Sequence, residues 1–126
     1  MMQRRVLILD DDPLVAQVVA FVAEDAGFQT RLAASAQQLF EDIDRWHPTH
    51  IVLDVMMPDM DGVQVMRRLA LMKVQCRVVI VSGIGTAALD EVRDTAIALG
   101  LDVAGALTKP FRPVQIEALL LEVAPH

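Results

Sequence analysis

The sequence predicts a doubly wound α/β domain, five parallel strands in the order 2-1-3-4-5 with helices packed on both faces of the sheet. Three observations predict it. Strand-length apolar runs alternate five times with longer stretches of helical period, as successive βαβ units do. The first run, Val6-Leu7-Ile8-Leu9, is continuously apolar, as a central strand covered on both faces must be. The 126 residues, 54% of them hydrophobic, suit one core and are too few for two, so residues 1–126 read as a single domain.

Each element has its own local cause. The first strand runs from Val6 to Leu9 and meets Asp10; Asp12 then caps a helix that opens with Pro13, carries Leu14, Val15, Val18, Val19 and Val22, and stops at Gly27. Residues 28–33 alternate like a half-exposed strand, and Ser35 with Gln38 forms a capping box for a helix carrying Leu39, Phe40 and Ile43. His47-Pro48 breaks that helix, with Trp46 closing its end. A third strand, 50–54, finishes on Asp54. Pro58 and Gly62 mark a loop, Asp61 caps a helix over 63–73, and the fourth strand spans 77–82. Gly83 to Thr86 form a loop, with Thr86 capping a long helix over 87–99 that Gly100 ends. The fifth strand covers 103–108, and Lys109-Pro110-Phe111 turns the chain into a last helix with Pro113 in its first turn.

Charge and composition narrow the function classes. Eleven Lys and Arg against seventeen Asp and Glu leave a net charge of −6, which repels phosphate backbones and anionic lipid, so no nucleic-acid contact is expected of this domain. Apolar runs are too short to span a bilayer, and one cysteine, Cys76, can make neither an internal disulfide nor a zinc site; a reducing cytoplasm suits such a chain. Aromatic residues are 4%, and no Ser/Thr/Gly-rich phosphate loop follows the first strand, which argues against a flavin carrier.

Right-handed crossovers open every strand-to-helix loop at one edge of the sheet. The residues there are chemical groups: Asp10 and Asp11 after the first strand, Asp54 after the third, Ser82 after the fourth and Lys109 after the fifth. The first and third strands are neighbours in this order, so three carboxylates converge and require a divalent cation to offset their repulsion. All-oxygen ligands with room for water point to Mg²⁺ or Mn²⁺. Beside such an ion Asp54 can act as a nucleophile toward a phosphoryl group whose oxygens meet the Ser82 hydroxyl and the Lys109 ammonium.

This ordered set, Asp10-Asp11, Asp54 through Pro58-Asp59 to Asp61-Gly62, Ser82-Gly83 and Lys109-Pro110-Phe111, resembles the receiver domains of two-component response regulators along the whole chain. The resemblance implies the flavodoxin-like form of the fold, with Asp54 as phosphoacceptor. Asp10 and Asp11 would be metal ligands, Asp11 the more direct, and the Met56 backbone carbonyl a third. Ser82 would be the hydroxyl that moves to the phosphate, Lys109 its ion-pair partner, and the Lys109-Pro110 bond cis. It also implies a histidine kinase or phosphotransfer protein as donor, an output domain or effector outside these residues, and a homodimer as one assembly. Self-phosphorylation from a donor and autodephosphorylation would be its only catalysis.

Two departures stand out. The family's aromatic three positions before the lysine is Ala106 here, and the chain contains no tyrosine. The stretch from Ser82 to Lys109 is also longer than usual, through its helix. With Gly105-Ala106-Leu107-Thr108-Lys109-Pro110-Phe111-Arg112, these traits are similar to receivers fused to EAL-type cyclic-di-GMP phosphodiesterase domains. Two further classes compete: a haloacid-dehalogenase-type phosphatase, which Asp10-Asp11-Asp12 fits and Pro13 does not, and a receiver-like module working by contact alone. Asp12, Asp59 and Asp61 read as caps or turns, the methionines as gap fillers, His47 and His50 as structural or solvent-facing, and Cys76 as a passive thiol.

Overall fold

A computed structural model describes residues 3–58 and 60–122. Ten elements follow in strict alternation: β1 (Arg5–Leu9), α1 (Pro13–Asp25), β2 (Gln29–Ala33), α2 (Ala36–Trp46), β3 (His50–Asp54), α3 (Gly62–Leu71), β4 (Arg77–Ser82), α4 (Thr86–Ala98), β5 (Asp102–Thr108) and α5 (Pro113–Leu121). The strands pair in parallel in the order β2-β1-β3-β4-β5, as the apolar pattern implied. Among the described residues no helix is long and apolar enough to cross a membrane.

Side chains alternate across the pleat and divide the core in two. Val6, Ile8, Val52, Val79 and Val81 pack with Ala16, Val19, Ile116 and Leu120 of α1 and α5. Leu7, Leu9, Ile51, Leu53, Val78 and Ile80 pack with Leu39 of α2, Met66 and Leu69 of α3, and Leu89 of α4. Each fully buried aliphatic side chain contributes about 1.5–3 kcal/mol, which holds the strand ends in fixed positions at the edge where the acids stand. The β4–β5 register slips between Val78 and Val79, pairing Val78 with Val103 and Val79 with Gly105. Ala106 thereby packs with the α2–α3–α4 side of the core.

Several boundaries differ from the sequence expectation, each for a visible reason. β2 begins at Gln29 because the Phe28 N–H donates to the Ala23 carbonyl at the end of α1 (2.9 Å), turning Phe28 into the core. The capping box at α2 is offset: the Ser35 hydroxyl accepts from the Gln38 N–H (3.2 Å), but the Gln38 side chain accepts from Ala34 rather than Ser35 (3.0 Å). α3 runs Gly62–Leu71, not 63–73; it closes as the Met72 N–H donates to the Arg68 carbonyl and Lys73 takes a positive φ of 54°. Thr86 is the first residue of α4, not its cap. Gly85 holds that place at φ 92° and offers no side-chain acceptor. β5 begins one residue early, at Asp102. Asp12 and Asp61 cap α1 and α3 as expected, and Asp59 lies outside the described residues. At the end of α2, Trp46 is sandwiched near two guanidinium groups, Arg5 at 5.8 Å and Arg31 at 5.3 Å from the ring centre.

Candidate active site at the carboxyl edge of the sheet

β1 and β3 lie side by side with Leu9 opposite Leu53, so the residues that follow, Asp10 and Asp54, come out adjacent. Asp54 is 1% exposed and Asp10 9% exposed. Lys109 reaches back from beyond β5 and donates through Nζ to Asp54 Oδ2 (3.0 Å) and Asp10 Oδ1 (3.0 Å). Its nitrogen is also 2.8 Å from Asp10 Oδ2, so the ammonium pairs with both oxygens of that carboxylate. Asp10 Oδ2 is buried, and the ammonium is its one polar contact among the described residues. Backbone adds two further bonds: the Asp12 N–H donates to Asp10 Oδ1 (2.9 Å) and the Met56 N–H to Asp54 Oδ1 (2.9 Å).

Electrostatics at this edge are unbalanced. Burial pushes the Asp54 carboxyl above the usual carboxylate range and the Asp10 charge adds to that push, against the Met56 N–H and Lys109, which pull it down. Burial by itself lowers the Lys109 pKa; the hydrogen bonds and charges of Asp10 and Asp54 outweigh it and hold the ammonium above its ordinary value. One ammonium faces three carboxylates, for Asp11 joins the group from the exposed side. One oxygen each of Asp10, Asp11 and Asp54 lies within 4.8 Å of the others. This donor set, three carboxylates around one ammonium, fits a hard divalent cation.

Ser82 stands at the end of β4, fully buried, with its hydroxyl accepting from the Ile84 N–H (3.3 Å) and its carbonyl from the Lys109 N–H (2.8 Å). It therefore lines the same edge without touching the carboxylates. The Lys109-Pro110 peptide is cis, as expected from the resemblance. The structure thus brings Asp10, Asp11, Asp54 and Lys109 together and holds Ser82 one strand away, with Met56 bonded to the cluster by its N–H.

Sequence reasoning took Gly62 for a loop residue only. A Cβ there would lie 2.7 Å from the Val55 carbonyl oxygen, so glycine is what lets α3 close against the loop that follows Asp54. Asp-Gly after a proline suggests a turn, but this contact is not legible without coordinates. Cys76 is the passive thiol it was read as: buried, donating to the Pro48 carbonyl (3.0 Å), and pushed by burial up to about 11. His50 is structural, its ring hydrogen-bonded to Thr49 and packed edge-on against Phe28 at 4.9 Å.

Comparison with known proteins meets this geometry. The DNA-binding response regulator MtrA of Mycolicibacterium smegmatis is 32% identical over 122 residues, 93% of this chain and 49% of that protein. The alkaline phosphatase synthesis transcriptional regulatory protein PhoP of Bacillus subtilis is 27% identical over 117 residues, 93% of this chain and 47% of that protein. The chain spans about half the length of the curated relatives it matches. Among solved structures, the receiver domain of Francisella response regulator 1452 superposes with a TM-score of 0.75 at 27% identity, covering 94% of this chain and 97% of that one. A receiver domain protein from Methanospirillum hungatei shares the fold, with a TM-score of 0.77 at 22% identity, over 91% of this chain and 88% of that one. A family model for the response regulator receiver domain matches residues 6–121, and the chain belongs to that family, the phosphorylation-dependent switch domains of two-component signalling.

Proposed function

We propose that residues 1–126 act as one switch domain in which Asp54 accepts a phosphoryl group from a phosphohistidine of a histidine kinase or phosphotransfer protein. The observation that carries this assignment is the Asp54 carboxylate itself, buried at a strand end, held by a single ammonium and crowded by two further acids. In the transfer an Asp54 oxygen forms the O–P bond as the donor's N–P bond breaks, and the leaving imidazole keeps the electron pair and takes up a proton. Lys109, already 3.0 Å from Asp54 Oδ2, follows the phosphoryl oxygens as negative charge shifts onto them. Asp10, Asp11 and Asp54, joined by the Met56 carbonyl, would hold Mg²⁺ or Mn²⁺, which when bound neutralises the carboxylates and the phosphoryl oxygens. Hydrolysis of the acyl phosphate by water resets the site.

Ser82 links the site to the surface in this reading. Turning its hydroxyl toward a phosphoryl oxygen breaks its hydrogen bond to the Ile84 N–H and frees the loop entering α4. That helix starts on Gly85 without a side-chain cap, so its first turn is weakly held. Ala106, in the β5 register opposite Ile80, supplies no aromatic ring to the relay, which assigns the movement to the loop and α4. The output lies outside these residues, in a domain or partner of a cytoplasmic pathway. By name MtrA is a DNA-binding response regulator and PhoP a transcriptional regulatory protein, while the Gly105-to-Arg112 pattern resembles EAL-type receivers.

Intact-protein mass after incubation with acetyl phosphate tests the assignment. The parent is expected to gain one phosphoryl group only when Mg²⁺ is present, and Asp54→Asn to gain none. An adduct of the same yield on Asp54→Asn refutes the phosphoacceptor; none on the parent, even with a phosphorylated kinase, leaves the contact-only module.

A further inference from the structure

A trough runs down the side of the molecule between α2 and α3, away from the Asp54 edge. One stretch of about 520 Å³ is lined by Phe40 and Arg68, and a second of about 340 Å³ shares both residues and continues to Asp44 and Met72. A third stretch of about 330 Å³, again sharing Asp44 and Met72, reaches the far end of the sheet. Leu71, at the end of α3, is 83% exposed on this side.

Beyond Asp61, the α3 cap that lines the first stretch, the two banks carry opposite charge. Glu41 and Asp44 stand exposed on α2, and Arg67 and Arg68 stand exposed on α3. Among the described residues none of these four has an ion-pair partner. Arg68 lies instead over the Phe40 ring at 4.1 Å. Glu41 follows Ala36 by five residues and Arg67 follows Gly62 by five, so both stand roughly 7.5 Å down their helices.

We propose that this face is where a second copy of the chain docks, about a two-fold axis running along the trough. Rotation about such an axis lays α2 of each protomer over α3 of the other at equal depth, setting Glu41 and Asp44 against the partner's Arg67 and Arg68 twice over. The exposed Leu71 of each protomer reaches into the space between, and the strand-exit edge stays open to a phosphodonor. A face that complements itself in charge identifies its own copy as the occupant. The inference is independent of phosphoryl transfer.

Sedimentation equilibrium of the 1–126 chain tests it. The parent is expected to dimerise reversibly, less so as salt is added. Glu41→Lys with Asp44→Lys makes both banks basic, and Arg67→Glu with Arg68→Glu makes both acidic; each alone should raise the dimer dissociation constant about tenfold or more. An equimolar mixture of the two should return it to within about threefold of the parent, because each bank then meets its opposite. Far-UV circular dichroism checks that the variants fold, and Glu41→Lys paired with Arg67→Glu repeats the test without disturbing the Arg68–Phe40 stack. A parent that stays monomeric at about 1 mM overturns the proposal and assigns the trough to a different partner. So do folded charge variants that associate as the parent does, or a mixture that fails to restore pairing.

Discussion

At the carboxyl ends of β1 and β3 stand Asp10 and Asp54, nearly or fully buried, sharing one ammonium from Lys109. At the amino ends of β1, β3 and β4 stand Arg5, His50 and Arg77, and there most polar groups are answered locally, the buried Arg77 Nε excepted. Arg5 donates to the Trp46 carbonyl at 2.7 Å and to Gln29 at 3.3 Å. Arg77 donates to the Glu122 carbonyl at 3.2 Å and sits 3.8 Å from Asp102. Burial, with Arg77 and Arg4 nearby, lowers the His50 pKa and keeps the ring neutral between Thr49 and Phe28. Both edges collect charge at strand ends, yet only at the carboxyl edge do three like charges crowd around a single opposite one. A strand-end charge marks a reactive site when burial has removed its solvent and the fold has withheld its counterion.

Lys109→Ala should break this contrast hardest. Removing the ammonium leaves Asp10 and Asp54 buried without a cation, and urea unfolding at neutral pH in chelator should show a loss of about 3 kcal/mol. The loss should shrink on acidification, as the carboxylates take up protons. Because the folded Asp54 carboxyl lies above its ordinary range, the fold holds that proton more tightly than the unfolded chain does. The stabilisation is complete below the unfolded value of about 3.9 and is lost as pH rises through the folded one. In metal-free buffer Asp54→Asn should therefore gain stability relative to the parent across that window, and parallel stability curves would remove the premise.

Gly62→Ala sharpens the comparison from the backbone. Its Cβ must displace Val55, and the strain should cost about 2 kcal/mol in unfolding experiments while weakening divalent binding measured by Mg²⁺ titration of amide signals. Arg4→Gln, at the opposite edge, removes a charge 5.2 Å from the Phe28 ring and should change stability by less than about 0.5 kcal/mol. A large effect there would show that the amino edge is as strained as the carboxyl one.

Much of this was legible beforehand because local signals encode it. Apolar runs marked the strands, Asp12, Ser35 and Asp61 marked helix starts, and the residues after each strand formed the acid, hydroxyl and amine series. Thr86 misled because a threonine before a helix reads as a cap, whereas Gly85 alone takes the positive φ that the turn demands. Phe28 misled because its alternation continues the strand, whereas its N–H is already spent on the end of α1.

The sequence by itself determined the element order, the parallel sheet and which side chains leave its reactive edge, since hydrophobic period and loop chemistry are properties of neighbours along the chain. Only the tertiary structure decided that Lys109 bridges two acids, one of them 99 residues away, that three carboxylates crowd that one ammonium, and that opposite charges face each other across the α2–α3 trough unpaired. Those facts depend on distances between residues remote in sequence, and such distances exist only once burial of the two faces of the sheet has locked the strands in register.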